Sequence, residues 1–163
     1  MNVRRSLAAV AFLLAVPALS SCGGNFNAQT DQVYNPAAGV DDRSGAVDVL
    51  NALIVSGSDG SGTVIATLVS NDDRPGSDTL RGVAGSGSDS SLKVTPGGDT
   101  QIPSGGLLNL AAKGKIFVAG ARVVPGNFVT ITFSFAKAKS VQVQVPVVRT
   151  SSVYSGVTLP TAP

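Results

Sequence analysis

One thiol in this chain stands where a covalent modification would be expected. Cys22 directly follows Leu19-Ser20-Ser21, at the end of a short apolar run that begins after Arg4-Arg5. A basic start, an apolar stretch and small residues before a cleavage point are the parts of a secretory signal. The pattern therefore predicts export, cleavage directly before Cys22 and modification of its sulfur.

The motif resembles the lipobox of bacterial lipoprotein precursors. That resemblance implies cleavage between Ser21 and Cys22, a thioether-linked diacylglycerol on Cys22 and, usually, acylation of the new N-terminus with a fatty acid such as palmitate. We therefore predict a lipid anchor that holds the mature chain on the extracytoplasmic face of the cell membrane. The export route stays open, because Arg4-Arg5 is compatible with both the general secretory and the twin-arginine pathway.

Two other interpretations of this segment are a retained transmembrane helix and a buried cysteine. A retained transmembrane helix needs about 20 apolar residues, and the run from Leu7 to Leu19 is shorter and contains Pro17. A buried cysteine would behave as a small apolar side chain, but Gly23-Gly24-Asn25 after Cys22 favours an exposed start. Both alternatives fit the sequence less well than the lipid anchor.

A second group of side chains with ligand chemistry lies in the loop 71–78. Its carboxylates, those of Asp72, Asp73 and Asp78, are candidates for binding Ca²⁺, because hard cations take several oxygen ligands at once. The loop lacks the spacing and the final Glu of an EF-hand. The alternative is a polar hairpin loop in which Asp and Asn side chains cap the backbone.

The residue types that are missing exclude much chemistry. The chain has no His, its only Met is Met1 and its only Cys is Cys22. Soft and intermediate metals therefore lack their preferred ligands in the mature chain, and no site that needs a catalytic His can form. A Ser-Lys pair using Lys93, Lys113 or Lys115 stays formally open, although no strained nucleophile turn marks one. We predict no enzyme activity, no metal site and no cofactor.

The net charge of the side chains does not favour nucleic acid as a partner. The chain has 12 Lys and Arg against 10 acidic residues, all Asp. Because Arg4-Arg5 leaves with the signal, the mature side chains are formally neutral. A basic surface for nucleic acid is not indicated, so the expected partners are the membrane, through the lipid on Cys22, and an envelope protein.

The secondary-structure elements that would position these residues are predicted to be strands. From residue 46 onward, short apolar or alternating runs are separated by Gly, Asp, Asn and Pro clusters, which is typical of an all-β sandwich or barrel. We predict a signal peptide at 1–21, the lipidated Cys and a flexible tether at 22–45, a sandwich domain at 46–158 and a tail at 159–163. The predicted strands are 46–55, 63–69, 78–84, 91–95, 107–111, 115–118, 129–135, 141–145 and 152–157.

This count predicts an antiparallel β-sandwich of about seven to nine strands, close in size to an immunoglobulin-like domain. The two late strands alternate apolar and polar residues most clearly, and Lys137-Ala138-Lys139 would connect them as a hairpin. The predicted core consists of Val49, Leu53, Val55, Leu68, Val129, Ile131, Phe133, Val141, Val143 and Val145.

Several framework segments also resemble a known family. The segments are Ala66-Thr67-Leu68-Val69-Ser70-Asn71, Asp78-Thr79-Leu80-Arg81-Gly82-Val83, Ile102-Pro103-Ser104-Gly105-Gly106 and Pro125-Gly126-Asn127-Phe128-Val129-Thr130-Ile131-Thr132-Phe133. They resemble the periplasmic copper chaperone family called PCuAC and related actinobacterial lipoproteins. The resemblance implies a cupredoxin-like β-sandwich and a copper site made of His and Met.

The ligand positions are where this chain departs from the family. The resemblance places a His-x-Met shortly before the late hairpin, and Lys115-Ile116-Phe117 stands there. Further ligands are expected around Ser90 to Thr95 and in the segment after it, and neither contains His or Met. The first hypothesis is thus a non-catalytic interaction or scaffold module on a copper-chaperone-like fold that has lost its ligands. The alternatives are a small-ligand or Ca²⁺ binding envelope protein using Asp-rich loops, and a copper-homeostasis relative.

Overall fold

Short strands bounded by turn residues build the fold. The computed structural model describes residues 38–58, 60–71, 76–98 and 100–161. A one-turn helix, α1 (Leu110–Lys113), and 3₁₀ turns at Gly87–Asp89 and Ser152–Tyr154 interrupt the strands. The all-β class predicted from the sequence is confirmed. The strands are β1 (Val40–Asp42), β2 (Val47–Ser58), β3 (Ser61–Ser70), β4 (Asp78–Gly85), β5 (Lys93–Thr95), β6 (Gln101–Ile102), β7 (Leu107–Asn109), β8 (Ile116–Ala119), β9 (Phe128–Phe135) and β10 (Val141–Arg149).

The strands form one curled, mixed sheet. Its order is β5-β8-β3-β2-β10-β9-β4-β6, with β1 also paired to β2 and β7 to β3. The predicted β9–β10 hairpin is present, with Val143 opposite Ile131. One pairing departs from the prediction, because β10 runs parallel to β2 and places Val147 opposite Ile54. Local periodicity does not show whether two strands far apart in the chain pair in parallel or antiparallel.

Strand β2 contributes side chains to two separate hydrophobic clusters. Asn51 lies within it at a φ of +49°, where the pairing with β3 also shifts register. An extra residue in a bulge reverses the face that the following side chains occupy. Val49 therefore packs in the main core, whereas Leu53 and Val55 lie in a smaller cluster with Ile65.

All ten side chains that the sequence assigned to the core are buried. Eight of them belong to the main cluster, where Phe133 is fully buried. Each fully buried large apolar side chain contributes about 1.5 to 3 kcal/mol. The prediction was wrong only in treating Leu53 and Val55 as part of the same core, since the bulge places them in the other cluster.

The C-terminal tail covers the smaller cluster. The predicted strand 152–157 is wrong, because Ser152–Tyr154 forms a 3₁₀ turn. The hydroxyl of Thr63 donates a 2.6 Å hydrogen bond to the carbonyl oxygen of Thr158, which ties the tail to β3. The described part of the chain after β10 therefore packs on the sheet. Its apolar contacts with the cluster come from Tyr154, Val157 and Leu159.

Two further boundaries differ from the prediction. Strand β1 lies in the stretch assigned to the tether and pairs with β2, so the ordered fold begins before residue 46. The strand predicted at 107–111 ends at Asn109, whose side-chain oxygen accepts the N–H of Ala111 at 2.9 Å and caps α1. An Asn that caps a helix start ends the extended conformation there.

The predicted export signal is not part of the described structure. The segment 1–21, the cleavage point between Ser21 and Cys22, and the lipid acceptor Cys22 itself all lie outside the described residues. None of the helices in the ranges given above is long and apolar enough to cross a membrane.

Candidate functional site

Two segments to which the resemblance assigns metal ligands lie side by side in the fold. Strand β5 pairs with β8 in antiparallel register. In this register Thr95 lies opposite Phe117 and Lys93 opposite Ala119, so the stretch 90–95 meets Lys115-Ile116-Phe117 at Thr95. We call residues 90–98 and 113–119 together the β5–β8 corner.

The corner carries ammonium and hydroxyl groups. Lys93, Thr95, Lys113 and Lys115 are all exposed there. An ammonium group donates hydrogen bonds and offers no lone pair to a metal ion. Across the ranges that the structure describes, no three His, Cys, Asp or Glu side chains converge as a metal site would require.

Backbone fills one end of the corner. A Cβ at Gly98, which has a φ of +77°, would collide with the carbonyl oxygen of Lys113, and a Cβ at Gly97 would come within 2.8 Å of that of Lys115. Lys115 itself has a φ of +43°. The main chain after β5 thus packs directly on the turn before β8, and a side chain would not fit between them.

Asp78, one of the calcium candidates, anchors the β9–β10 hairpin. Its two carboxylate oxygens accept the backbone N–H groups of Thr79 and of residues 136–138 at 2.7 to 3.1 Å. Burial raises the pKa of this carboxyl, but the four backbone donors together outweigh it and hold the pKa below its usual value. A cation at Asp78 would have to compete with these four bonds. Asp72 and Asp73 lie outside the described residues.

A second buried carboxylate belongs to Asp89, in the 3₁₀ turn Gly87–Asp89. Its residue is only 5% exposed. One oxygen accepts the backbone N–H of Thr130 at 2.9 Å, and the other lies 3.2 Å from Nε of Arg122. Arg122 also donates from Nη2 to the carbonyl oxygen of Phe128 at 2.9 Å. Asp89 therefore joins the 3₁₀ turn, the loop after β8 and the start of β9.

A surface cleft of about 210 Å³ opens beside this ion pair. One wall consists of residues before β5, namely Ser88, Asp89, Ser91 and Leu92. Gly120 and Ala121 after β8 form another. Because β5 and β8 are antiparallel, these two connections meet at the end of the corner away from Gly97 and Gly98. Its volume exceeds that of the cavity beside Asp78 and Lys137, about 50 Å³, and that of the cavity beside Asn51 and Asn109, about 80 Å³.

Sequence reasoning did not identify the cleft. Asp89 lies between the predicted strands 78–84 and 91–95, and neither it nor Arg122 was singled out. A buried Asp is rare unless it is paired, but its partner lies on a loop that only the sheet topology brings near. No local motif carries that signal.

Comparison with known proteins supports the fold. No protein-family model and no curated protein matches the chain. Among solved structures it is similar to the apo PCuAC domain from PmoF1, with a TM-score of 0.56 and 17% identity over 68% of this chain and 100% of that one. The copper-bound PCuAC domain from PmoF2 gives a TM-score of 0.55 and 17% identity over 68% and 99%. At this identity the likeness shows the fold alone, and it agrees with the cupredoxin-like architecture that the resemblance implied.

Proposed function

We propose that this protein is a lipoprotein held on the extracytoplasmic face of the cell membrane, and that its PCuAC-like domain is a non-catalytic interaction or scaffold module. The observation that carries the proposal is the chemistry of the β5–β8 corner. Lysines and a threonine occupy the segments to which the resemblance assigns metal ligands. With no such ligands there, the loops and sheet edges are the surfaces through which the domain acts.

Copper chemistry supports this reasoning. One of the similar domains is copper-bound, and Cu(I) sites select thioether, thiolate and imidazole ligands. This chain has no His, and its only Met and Cys are Met1 and Cys22. Cleavage before Cys22 removes Met1, and a lipid on Cys22 occupies its sulfur. Hydroxyl and ammonium groups do not replace soft ligands.

Exposed apolar side chains offer contact points for an envelope protein. Edge strands and loops are the parts of a β-sandwich that most often bind peptides and proteins. β5 is a three-residue strand at the end of the sheet order. Within the described part of the chain, the exposed large apolar side chains are Leu107 at 58%, Phe128 at 49% and Val153 at 83%.

A copper titration tests the loss of the ligand site. The full chain, solubilised in detergent, is titrated with Cu(I) against a competing chelator, and in parallel with Ca²⁺, while its melting temperature is followed. We expect no copper-dependent rise in melting temperature, because a ligand that binds only the folded state must stabilise it. Tight copper binding would overturn the proposal. A rise with Ca²⁺ alone would support the alternative that uses the Asp-rich loops.

Replacement of Cys22 tests the anchor separately. We expect Cys22→Ser to abolish lipidation, so that the protein leaves the membrane fraction or accumulates as the unprocessed precursor. The matched control is Ser20→Ala, which keeps both a small residue and the acceptor sulfur. Membrane fractionation together with the mass of the N-terminal peptide distinguishes these products. A processed and membrane-bound Cys22→Ser protein would contradict the lipid anchor.

A pull-down tests the interaction role. The wild-type chain is cross-linked in intact membranes and recovered, and Phe128→Ser serves as the surface variant. We expect one envelope protein to be enriched with the wild type and depleted with the variant. Identical recovery of the partner with the wild type and with Phe128→Ser would show that Phe128 does not contribute to the contact.

A further inference from the structure

The guanidinium of Arg122 is held in a fixed orientation. Its Nε lies 3.2 Å from one oxygen of Asp89, and its Nη2 donates to the carbonyl oxygen of Phe128 at 2.9 Å. Asp89 is itself fixed, because its other oxygen accepts the backbone N–H of Thr130 at 2.9 Å and the residue is buried. Two separate elements therefore orient this planar group before any ligand arrives.

Part of the hydrogen-bonding capacity of Arg122 is left over. A guanidinium has five N–H donors, and the two contacts above engage one on Nε and one on Nη2. The remaining donors have no partner among the described residues, while the side chain is 51% exposed and borders the cleft. A planar group with donors free on one edge matches the geometry of a carboxylate or phosphate.

The cleft provides space and a further donor. Its volume of about 210 Å³ corresponds to roughly seven water molecules at about 30 Å³ each. Ser88 and Ser91 line one wall beside the apolar Leu92. The Ser88 hydroxyl donates to Oδ2 of Asp89 at 3.4 Å, which leaves the Ser91 hydroxyl as the further donor. The ligand that fits is therefore small and polar.

The charges around the cleft favour an anion. The carboxylate of Asp89 is matched by the Arg122 guanidinium and the Thr130 N–H. Lys93, at the start of β5, is exposed and directly follows the residues that form the cleft wall. The other described acidic residues belong to other elements, on β1, β2 and β4, and are Asp41, Asp42, Asp48 and Asp78.

From this geometry we propose that the cleft bounded by Ser88, Ser91, Ala121 and Arg122 binds a small oxyanion, either a carboxylate or a phosphate. Arg122 makes the main contact through its unengaged N–H groups, and the Ser91 hydroxyl adds a further donor. Asp89 is a positioning residue that orients the guanidinium. The site is independent of the interaction role proposed above.

The test is an NMR titration of the full chain in detergent with inorganic phosphate and, separately, with acetate. Sodium chloride holds the ionic strength constant, because general screening would otherwise mimic binding. We expect saturable shifts of the Arg122 side-chain Nε–H and of the backbone amides of Ser88, Ser91 and Ala121. Saturation by phosphate alone assigns the ligand to phosphates, and saturation by acetate extends it to carboxylates.

Three variants make the proposal falsifiable. Ala121→Phe fills the cleft and keeps the ion pair, and Arg122→Lys keeps the charge but removes the planar fork. We expect each to weaken binding by about tenfold or more, whereas Arg81→Lys, a change at an exposed arginine on β4, leaves it unaltered. Shifts that never saturate, or equal affinity in all variants whose spectra show the native fold, would overturn the proposal.

Discussion

Two buried carboxylates at different places in the sheet are used in opposite ways. Asp78 has four backbone N–H partners on its two oxygens and holds the β9–β10 hairpin. Asp89 has one backbone partner and shares its charge with Arg122 beside an open cleft. A carboxylate whose acceptors are taken up by the main chain is structural. A carboxylate that orients a partly exposed guanidinium leaves the other N–H groups of that guanidinium available for a ligand.

The largest effect should come from Asp78→Ala. It removes the acceptor of four backbone donors, and unsatisfied donors that are partly buried cost stability, so we expect a loss of about 2 to 4 kcal/mol in the free energy of unfolding. Asp78→Asn should lose less, because an amide oxygen keeps some of these bonds while its NH₂ faces the N–H of Ala138. Urea denaturation measures both variants.

Asp42→Ala is the matched control for Asp78. Asp42 accepts the N–H and hydroxyl of Ser44 in a local turn, so its loss should cost less than about 1 kcal/mol. Equal destabilisation by Asp42→Ala and Asp78→Ala would show that the hairpin does not depend on its carboxylate anchor.

A smaller effect is expected for Asp89→Asn. The amide keeps an acceptor for one partner but loses the charge opposite Arg122, which is half exposed and can be solvated. We expect a loss of about 1 to 3 kcal/mol and a more mobile Arg122 side chain. Denaturation and the NMR relaxation of its Nε–H check the two effects. If Asp89→Asn destabilised the protein as much as Asp78→Ala, Asp89 would be as structural as Asp78 and the proposed difference between the two carboxylates would be wrong.

The smallest effect should appear in acid. The folded pKa of Asp78 lies below the ordinary value of 3.8, so its contribution to stability is fully present above that value. This contribution decreases as the pH falls from there through the folded pKa. The decrease is only partial, because a neutral carboxyl still accepts hydrogen bonds. Denaturation between pH 5 and pH 2 should show a steeper decline for the wild type than for Asp78→Asn. Parallel curves would argue against the depressed pKa.

Local alternation predicted much of the fold. The pattern of β9 and β10 gave the hairpin and its buried face, because the side-chain period of a strand is two. The same rule failed in β2, where the bulge at Asn51 reverses the alternation and moves Leu53 and Val55 to the other cluster. A bulge depends on contacts with neighbouring strands and has no fixed sequence signature.

The candidate sites were predictable to different degrees. The family resemblance identified two segments that pair as β5 and β8, because framework positions keep their order along the chain. The contacts of Asp78 match the backbone-capping alternative, which the sequence left open beside cation binding because an Asp in a loop is compatible with both. The pairing of Asp89 with Arg122 depends on the sheet topology, which local sequence patterns do not encode.

The parallel pairing of β2 with β10 has a consequence for the order in which the chain is made. Strand β2 is among the first strands to be synthesised, and its partner β10 is the last. The central part of the sheet therefore cannot be completed until residues 141–149 have emerged, and the tail that covers Leu53 and Val55 comes later still. Pairing between such distant segments is slow to form. If the chain is exported unfolded with its N-terminus first, the pairing of β2 with β10 can form only after residues 141–149 have crossed the membrane.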